Sequence, residues 1–335
     1  MKLPTIARLF LNVAVFAVAF AGAALLLGVA LPMAEMTNIT SKHRYIAAHR
    51  KEIDVLFIGS SQFFHQIIPR EFDAAVTAAT GQKVRSFNFG ISGMWPPESF
   101  QVLREILALR PPNLRWVFVE LMDIDLRDAK AAGITRRLVS WHDELHTGMV
   151  NERIEEAVPE AERDSLQRSH IVLRIRRALN LGRCSDYLIG KMTKNNFGRE
   201  KSWGKQMGYS AGDADDVVEG AKLATYSTAL AAWKRAGPAP AMSPALARGV
   251  RELAAAIREA GATPIFVSSP SVDLRHRFAG LDAGPELWLF NEPENYPELF
   301  DAEVRVDGVH LTPVGAERFT KVLGERFVRR LSEPQ

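Results

Sequence analysis

The chain has 335 residues, 47% hydrophobic and 24% charged, a balance that fits one or two globular domains with a core large enough to need neither disulfides nor structural zinc. Its single cysteine, Cys184, excludes an internal disulfide, and no Cys/His cluster has zinc-ligand spacing. A formal net charge of +3, with the basic residues spread along the chain, argues against nucleic acid as a partner.

Residues 9–30 read LFLNVAVFAVAFAGAALLLGVA, with Asn12 the one polar side chain. About 20 apolar residues suffice to cross a bilayer as a helix, whereas a signal peptide has an apolar region of about 7–15 residues and a small-residue cleavage site. The Pro32-Met33-Ala34 junction is a poor cleavage match, so residues 1–32 are expected to be a retained anchor rather than a cleaved leader. Lys2 and Arg8 on the near side favour a cytoplasmic N-terminus and an extracytoplasmic, periplasmic remainder, although Lys42, Arg44, Arg50 and Lys51 follow the span. Residues 33–52 are polar and mixed, a stalk or first helix leading into a domain at 53–335.

That domain opens with residues 53–58, IDVLFI, a short apolar run ended by Gly59 that predicts a buried parallel strand. A helix is expected over 69–80 with a Gly81 stop, a strand over 84–89, a helix over 97–109 closed by Pro111-Pro112, and a strand over 116–121. Residues 245–260 predict an amphipathic helix, 264–268 a fourth strand, and 313–331 a last helix with Thr312 as N-cap and Pro313 at its first position. The alternation implies a parallel sheet covered on both faces, with the ligand site at the carboxyl ends of its strands. The stretch 126–243 is charged and helical in period, and is expected to be one helical insertion closed by the loop Gly237-Pro238-Ala239-Pro240.

Three post-strand segments carry chemistry. In Gly59-Ser60-Ser61-Gln62, a strand-to-helix turn would expose the Ser61 hydroxyl and aim backbone amides at a developing oxyanion. In Asn88-Phe89-Gly90-Ile91-Ser92-Gly93, two glycines permit the close approach that suits an oxyanion-hole amide. In Asp307-Gly308-Val309-His310-Leu311-Thr312-Pro313, an acid three residues before a histidine can hold the imidazole as a base toward serine. Each segment alone is also an ordinary loop.

Taken in order, these segments resemble the nucleophile, glycine and acid–base blocks of the SGNH (GDSL-like) hydrolase superfamily, with RWVFVELMDID in the place of its third block. The resemblance covers about 53–125 and 262–330. It implies a three-layer α/β/α, flavodoxin-like fold with Ser61 as nucleophile, Asp307 and His310 as acid and base, and the amides of Ser61 and Gly93 as the oxyanion hole. It implies no metal and no cofactor. Two positions depart from the family: Ser60 stands where an Asp is usual, and Ile124 falls where the oxyanion Asn belongs. Losing one oxyanion donor costs ~3 kcal/mol of transition-state stabilisation, and Asp123 or Asp125, when ionised, would repel the charge.

Membrane anchor, Gly-Ser-Ser block, missing Asn and C-terminal Asp-x-x-His together resemble the anchored SGNH-like proteins of bacterial envelope polysaccharide O-acylation systems. That resemblance implies serine-dependent acyl transfer, such as O-acetylation, onto an extracytoplasmic glycan, with a membrane-bound O-acyltransferase as partner. A plain membrane-anchored esterase or lipase and a non-catalytic assembly partner with a degenerate site are the alternatives. Ser60, His65, Asn88 and Asp123 are expected around the pocket, with His65 more readily a packed histidine than a second base. Ser268, Ser269, Trp95, Phe63 and Phe64 are candidates to line it. His142 and His146 have a metal-compatible spacing but no third ligand in sequence, and read better as part of a solvated or partner-facing helix.

Overall fold

The computed structural model describes residues 5–31, 36, 38–127, 133–192, 200–212, 217–280 and 284–333; the Pro32 to Ala34 junction lies outside them. Contacts divide the chain into two compact units, Met1–Thr37 with Arg127–Phe197, and Asn38–Leu126 with Gly198–Gln335. In chain order, the first unit begins with α1 (Thr5–Ala30). The second starts with α2 (Ile39–His49), β1 (Val55–Gly59), α3 (Ser61–Gln66), α4 (Pro69–Thr80), β2 (Ser86–Gly90), α5 (Glu98–Ala108) and β3 (Trp116–Glu120). The chain then returns to the first unit for α6 (Arg136–Ser140), α7 (Glu144–Ala157), α8 (Glu160–Ala178) and α9 (Arg183–Met192). The second unit is completed by α10 (Glu200–Gln206), α11 (Gly220–Arg235), α12 (Pro244–Glu259), β4 (Thr263–Ser268), β5 (Glu286–Leu289) and α13 (Pro313–Ser332).

The second unit is an α/β domain around a parallel sheet in the order β2-β1-β3-β4-β5. This is a doubly wound order, with its switch point between β1 and β3. Strand side chains alternate between faces. Val55, Phe57, Trp116, Phe118, Ile265 and Trp288 share one cluster with Phe72 of α4, Tyr226 and Trp233 of α11, and Phe319 and Phe327 of α13. The alternate residues Leu56, Val117 and Phe266 are equally buried, and α5 and α12 pack against β1 and β4 respectively and against each other. Helix starts follow local capping: the Ser243 and Thr312 hydroxyls accept from Leu246 and Gly315 amides, each with a proline at the first helical position.

Three features differ from the sequence expectation. The sheet has a fifth strand, β5, whose Glu286 and Trp288 sit in a run too short and mixed for a pattern of alternation to declare itself. The expected 126–243 insertion is not one body: residues 127–197 group with Met1–Thr37 in the first unit, while Trp203, Val218, Tyr226 and Trp233 are buried within the sheet domain. The first-helix reading of 33–52 holds over 39–49, but that helix is part of the domain rather than a lead-in to it, burying Ile39, Ser41, Lys42 and Ile46.

The first unit is helical among the described residues. Residues 6–30 of α1 form a helix long and apolar enough to cross a membrane. Two residues join α7 to α8, and Trp141, Met149, Val150, Ile154 and Leu173 form the unit's small apolar centre.

Candidate active site

The position of Ser61 is set by the end of β1. Ser60 is the N-cap of α3, its hydroxyl accepting from the Gln62 amide at 3.1 Å, which puts Ser61 at the first helical position. The helix makes no use of the amide there. Ser61 is half-buried, and its Oγ lies 2.8 Å from His310 Nε2. Ser60 thus lines the turn by capping it, and its hydroxyl is committed.

Asp307 and His310 come from a tight loop before α13. Asp307 Oδ1 accepts the amides of Val309 and His310, both at 2.7 Å, while Oδ2 accepts from His310 Nδ1 at 2.8 Å. With Nδ1 donating, Nε2 presents its lone pair to the Ser61 hydroxyl. Burial alone would raise the Asp307 carboxyl, but the hydrogen bond and charge of His310, with the two amides, outweigh it and lower the pKa to about 2. The loop is pinned from below by the fully buried Arg305, which donates to Asp307 O, Pro270 O and Leu299 O. Gln66 Nε2 of α3 donates to Val309 O at 2.9 Å, so the helix that carries Ser61 also holds the Asp307–His310 loop in place.

The β2 loop lies beside the β1 loop because the strands end in register, Gly59 opposite Gly90, and the Ile91 amide continues the pairing onto Gly59 O. Gly93 has φ +68° and open space where a Cβ would stand, a conformation that favours glycine. Asn88 is not a pocket donor: both protons of Nδ2 are taken by Phe63 O and Ile67 O, and Oδ1 accepts the Gly90 amide. His65 is half-buried and hydrogen-bonded, with Nδ1 donating to Ser210 O at 2.8 Å. Ile124 is buried, and its amide donates to Asp123 Oδ1 at 2.8 Å, so neither its side chain nor its N–H is offered to an oxyanion. The Asp123 amide in turn donates to Nδ1 of His276, a buried imidazole whose pKa burial lowers and whose ring meets Trp95 edge-on at 5.2 Å.

Two buried charged side chains beside the site escaped the sequence reading. Glu120, at the end of β3, is fully enclosed: Oε2 accepts the Ser60 amide at 2.5 Å and Oε1 accepts the Ser269 hydroxyl at 2.8 Å. Burial raises its pKa, against those bonds and the charge of His310. A lone acid in the apolar run WVFVEL was the available signal. Lys42 of α2 is wholly buried and donates to Asn88 O (3.0 Å), Gly90 O (2.7 Å) and Gly208 O (2.7 Å), with Phe64 and Trp203 rings over its ammonium. Nothing local in its sequence marks it.

No protein-family model and no curated protein sequence matches the chain. A serine hydroxyl bonded to an imidazole that is itself bonded to a carboxylate, 2.8 Å at each step, can generate an alkoxide-like nucleophile. The His310 and Asp307 side chains are 30% and 48% exposed, so the relay opens to solvent. His142 and His146 belong to the other unit: Nε2 of His142 lies 2.9 Å from His170 Nδ1, and His146 Nδ1 lies 2.7 Å from Asp143 Oδ1.

Proposed function

We propose that the chain is a membrane-anchored serine acyltransferase or esterase of the SGNH (GDSL-like) hydrolase type, acting on acyl esters of an extracytoplasmic glycan. The observation that carries this reading is the continuous Ser61–His310–Asp307 relay at the carboxyl edge of a parallel sheet. His310 Nε2 takes the Ser61 proton as Oγ attacks an acyl carbonyl, and the amides of Ser61 and Gly93 receive the oxyanion. The imidazolium returns the proton to the leaving oxygen, leaving an acyl-Ser61 ester. His310 then deprotonates an incoming hydroxyl, which takes the acyl group and frees the serine. A sugar hydroxyl gives O-acylation; water gives hydrolysis.

Ile124 favours the transfer reading. With one oxyanion donor missing, the acyl-enzyme is best formed from an activated donor, such as one presented by a membrane-bound O-acyltransferase, rather than from a stable ester in free solution. The intact relay equally supports a plain esterase, and the two separate on one assay. The full chain in detergent micelles is given a simple acetyl ester, with and without a sugar acceptor. Transfer predicts slow hydrolysis and acceptor-dependent acetyl consumption; rapid acceptor-independent turnover favours the esterase. In the native envelope, Ser61→Ala is expected to abolish acylation of the surface glycan while protein levels hold. Unchanged acylation would overturn the catalytic reading.

A further inference from the structure

The first unit holds a site that the triad chemistry does not use. Asn180, in the turn between α8 and α9, donates from Nδ2 to Ala24 O of α1 at 2.8 Å, and Arg183 Nε donates to Leu31 O at 3.1 Å. Gly28 makes the approach feasible: a Cβ there would stand 2.9 Å from Asn180 Nδ2. Seven residues of helix separate the two carbonyls, roughly 10 Å along the axis. If residues 6–30 of α1 lie in a bilayer, the α8–α9 turn sits at the depth of the last turns of the span, within the interface.

The exposed apolar side chains of the unit suit that depth, and two of them, Ile134 and Leu181, line the cavity beside the α8–α9 turn. Ile134, Ile171, Val172, Ile175, Leu181 and Leu188 are each 37–59% exposed, and Leu145 is the one other exposed large apolar side chain of the unit outside α1 among the described residues. Between α6 and the α8–α9 turn lies a cavity of about 320 Å³ whose lining includes Arg136, Arg176, Arg177 and Arg183 and no acidic side chain. Arg177 is paired with Asp143 at 3.1 Å, and Arg183 is held by Asn180 and Leu31 O. Arg176 Nε, by contrast, is buried with no hydrogen-bond partner.

We propose that this cavity binds the phosphate headgroup of an anionic phospholipid, whose acyl chains run along the exposed apolar side chains of the unit. Guanidinium forks match phosphate oxygens in pairs, and the apolar rim selects a lipid over a free anion. The inference rests on the membrane-anchored part of the proposed function and is independent of the triad.

The test uses the full chain in nanodiscs of phosphatidylcholine, alone or with a minor fraction of phosphatidylglycerol. Native mass spectrometry is expected to find phosphatidylglycerol retained on the wild-type protein, with occupancy falling about tenfold in Arg136→Gln/Arg176→Gln, close to 1.4 kcal/mol. The Arg136→Lys/Arg176→Lys variant, which keeps the charge, is expected to recover part of it. Equal retention in the glutamine variant, or binding of inorganic phosphate with no preference for the anionic lipid, overturns the proposal. Depth is read from a nitroxide on Cys184, exposed on α9 beside the cavity, by its accessibility to oxygen against a water-soluble nickel complex. An interfacial depth supports the site. With a control label at Val18→Cys in a Cys184→Ser background inside the bilayer, a fully aqueous Cys184 overturns it. An aqueous Val18 label would instead overturn the anchoring reading.

Discussion

Lys42 shows how much one side chain can organise. β2 is an edge strand, and its outward carbonyls would be left without donors. Residues 207–208 pair with part of that edge through the Asn88 amide and Met207 O, and the Lys42 ammonium supplies the rest, one proton to each of three carbonyls. Burial pulls its pKa well below the ordinary lysine value, while the carbonyls and the two ring faces favour the charged form. Because Gly90 O opens the loop that carries Gly93, the same ammonium fixes where the proposed oxyanion amide stands. Lys42→Met keeps the length and removes the donors, leaving Asn88 O, Gly90 O and Gly208 O buried and unpaired. It is expected to cost about 3 kcal/mol, lowering the melting temperature of the sheet unit by about 6–12 °C, and to lower kcat for any acyl substrate more than it changes KM. A melting temperature within a degree of wild type would show that the ammonium does not hold this edge.

At the scale of elements, what could be read in the sequence is what short-range physics decides. The helices at 69–80, 244–259 and 313–332 announce themselves by cap, proline and periodicity, and the strand at 116–120 by an apolar run. The Asp307–His310 contact was legible because a three-residue spacing sets the two side chains against each other within one loop. The burial of Lys42, the enclosure of Glu120, and the split of residues 127–197 from 198–243 depend on partners dozens to more than a hundred residues away, which no local pattern encodes. The tie between α4 and β2 is another such contact: Asp73 accepts the Ser86 amide on both oxygens, at 3.0 and 3.1 Å. Burial, reinforced by Asp54, raises its pKa from 3.8 to about 6 against the Ser86 bonds and Arg85. The folded state thus binds the proton more tightly than the unfolded state. Its contribution is complete below pH 3.8 and is lost as pH rises through about 6. Asp73→Asn keeps one acceptor for Ser86 and removes the penalty. It is expected to stabilise the fold by about 1–2 kcal/mol at neutral pH and to change little near pH 4. Urea titrations at the two pH values check this, and a neutral-pH loss of stability would reverse the assignment.

For the whole molecule, His142 and Asp73 carry opposite pH dependences into the two units. The first unit has few apolar anchors and buries His142, His146 and His170 among them. His142 stacks on Trp141 with ring centroids 3.7 Å apart, and its pKa falls from 6.5 to about 3, first through burial and then through the charges of His170 and Arg177, against the Leu138 carbonyl and Asp143. A depressed histidine pKa means that the unfolded chain binds the proton first. The stability it lends is full above pH 6.5 and drains away as pH falls toward 3. At pH 5 the loss is about 2 kcal/mol for this unit, a large share for so small a core, whereas the Asp73 contribution to the sheet unit has the opposite sign. Unfolding should therefore separate into two transitions as pH falls, the helical unit first. Trp141 is the sole tryptophan of Met1–Thr37 and Arg127–Phe197, the other five belonging to the sheet unit, so it reports on the helical unit without cleavage of the chain. The fluorescence difference between wild type and Trp141→Phe is expected to change at lower denaturant than the signal common to both, with the gap widening from pH 7 to pH 5. His142→Phe should narrow that widening while leaving the sheet transition in place. Coincident transitions at both pH values would mean that the units unfold as one body and that the buried histidine pair does not set the acid limit.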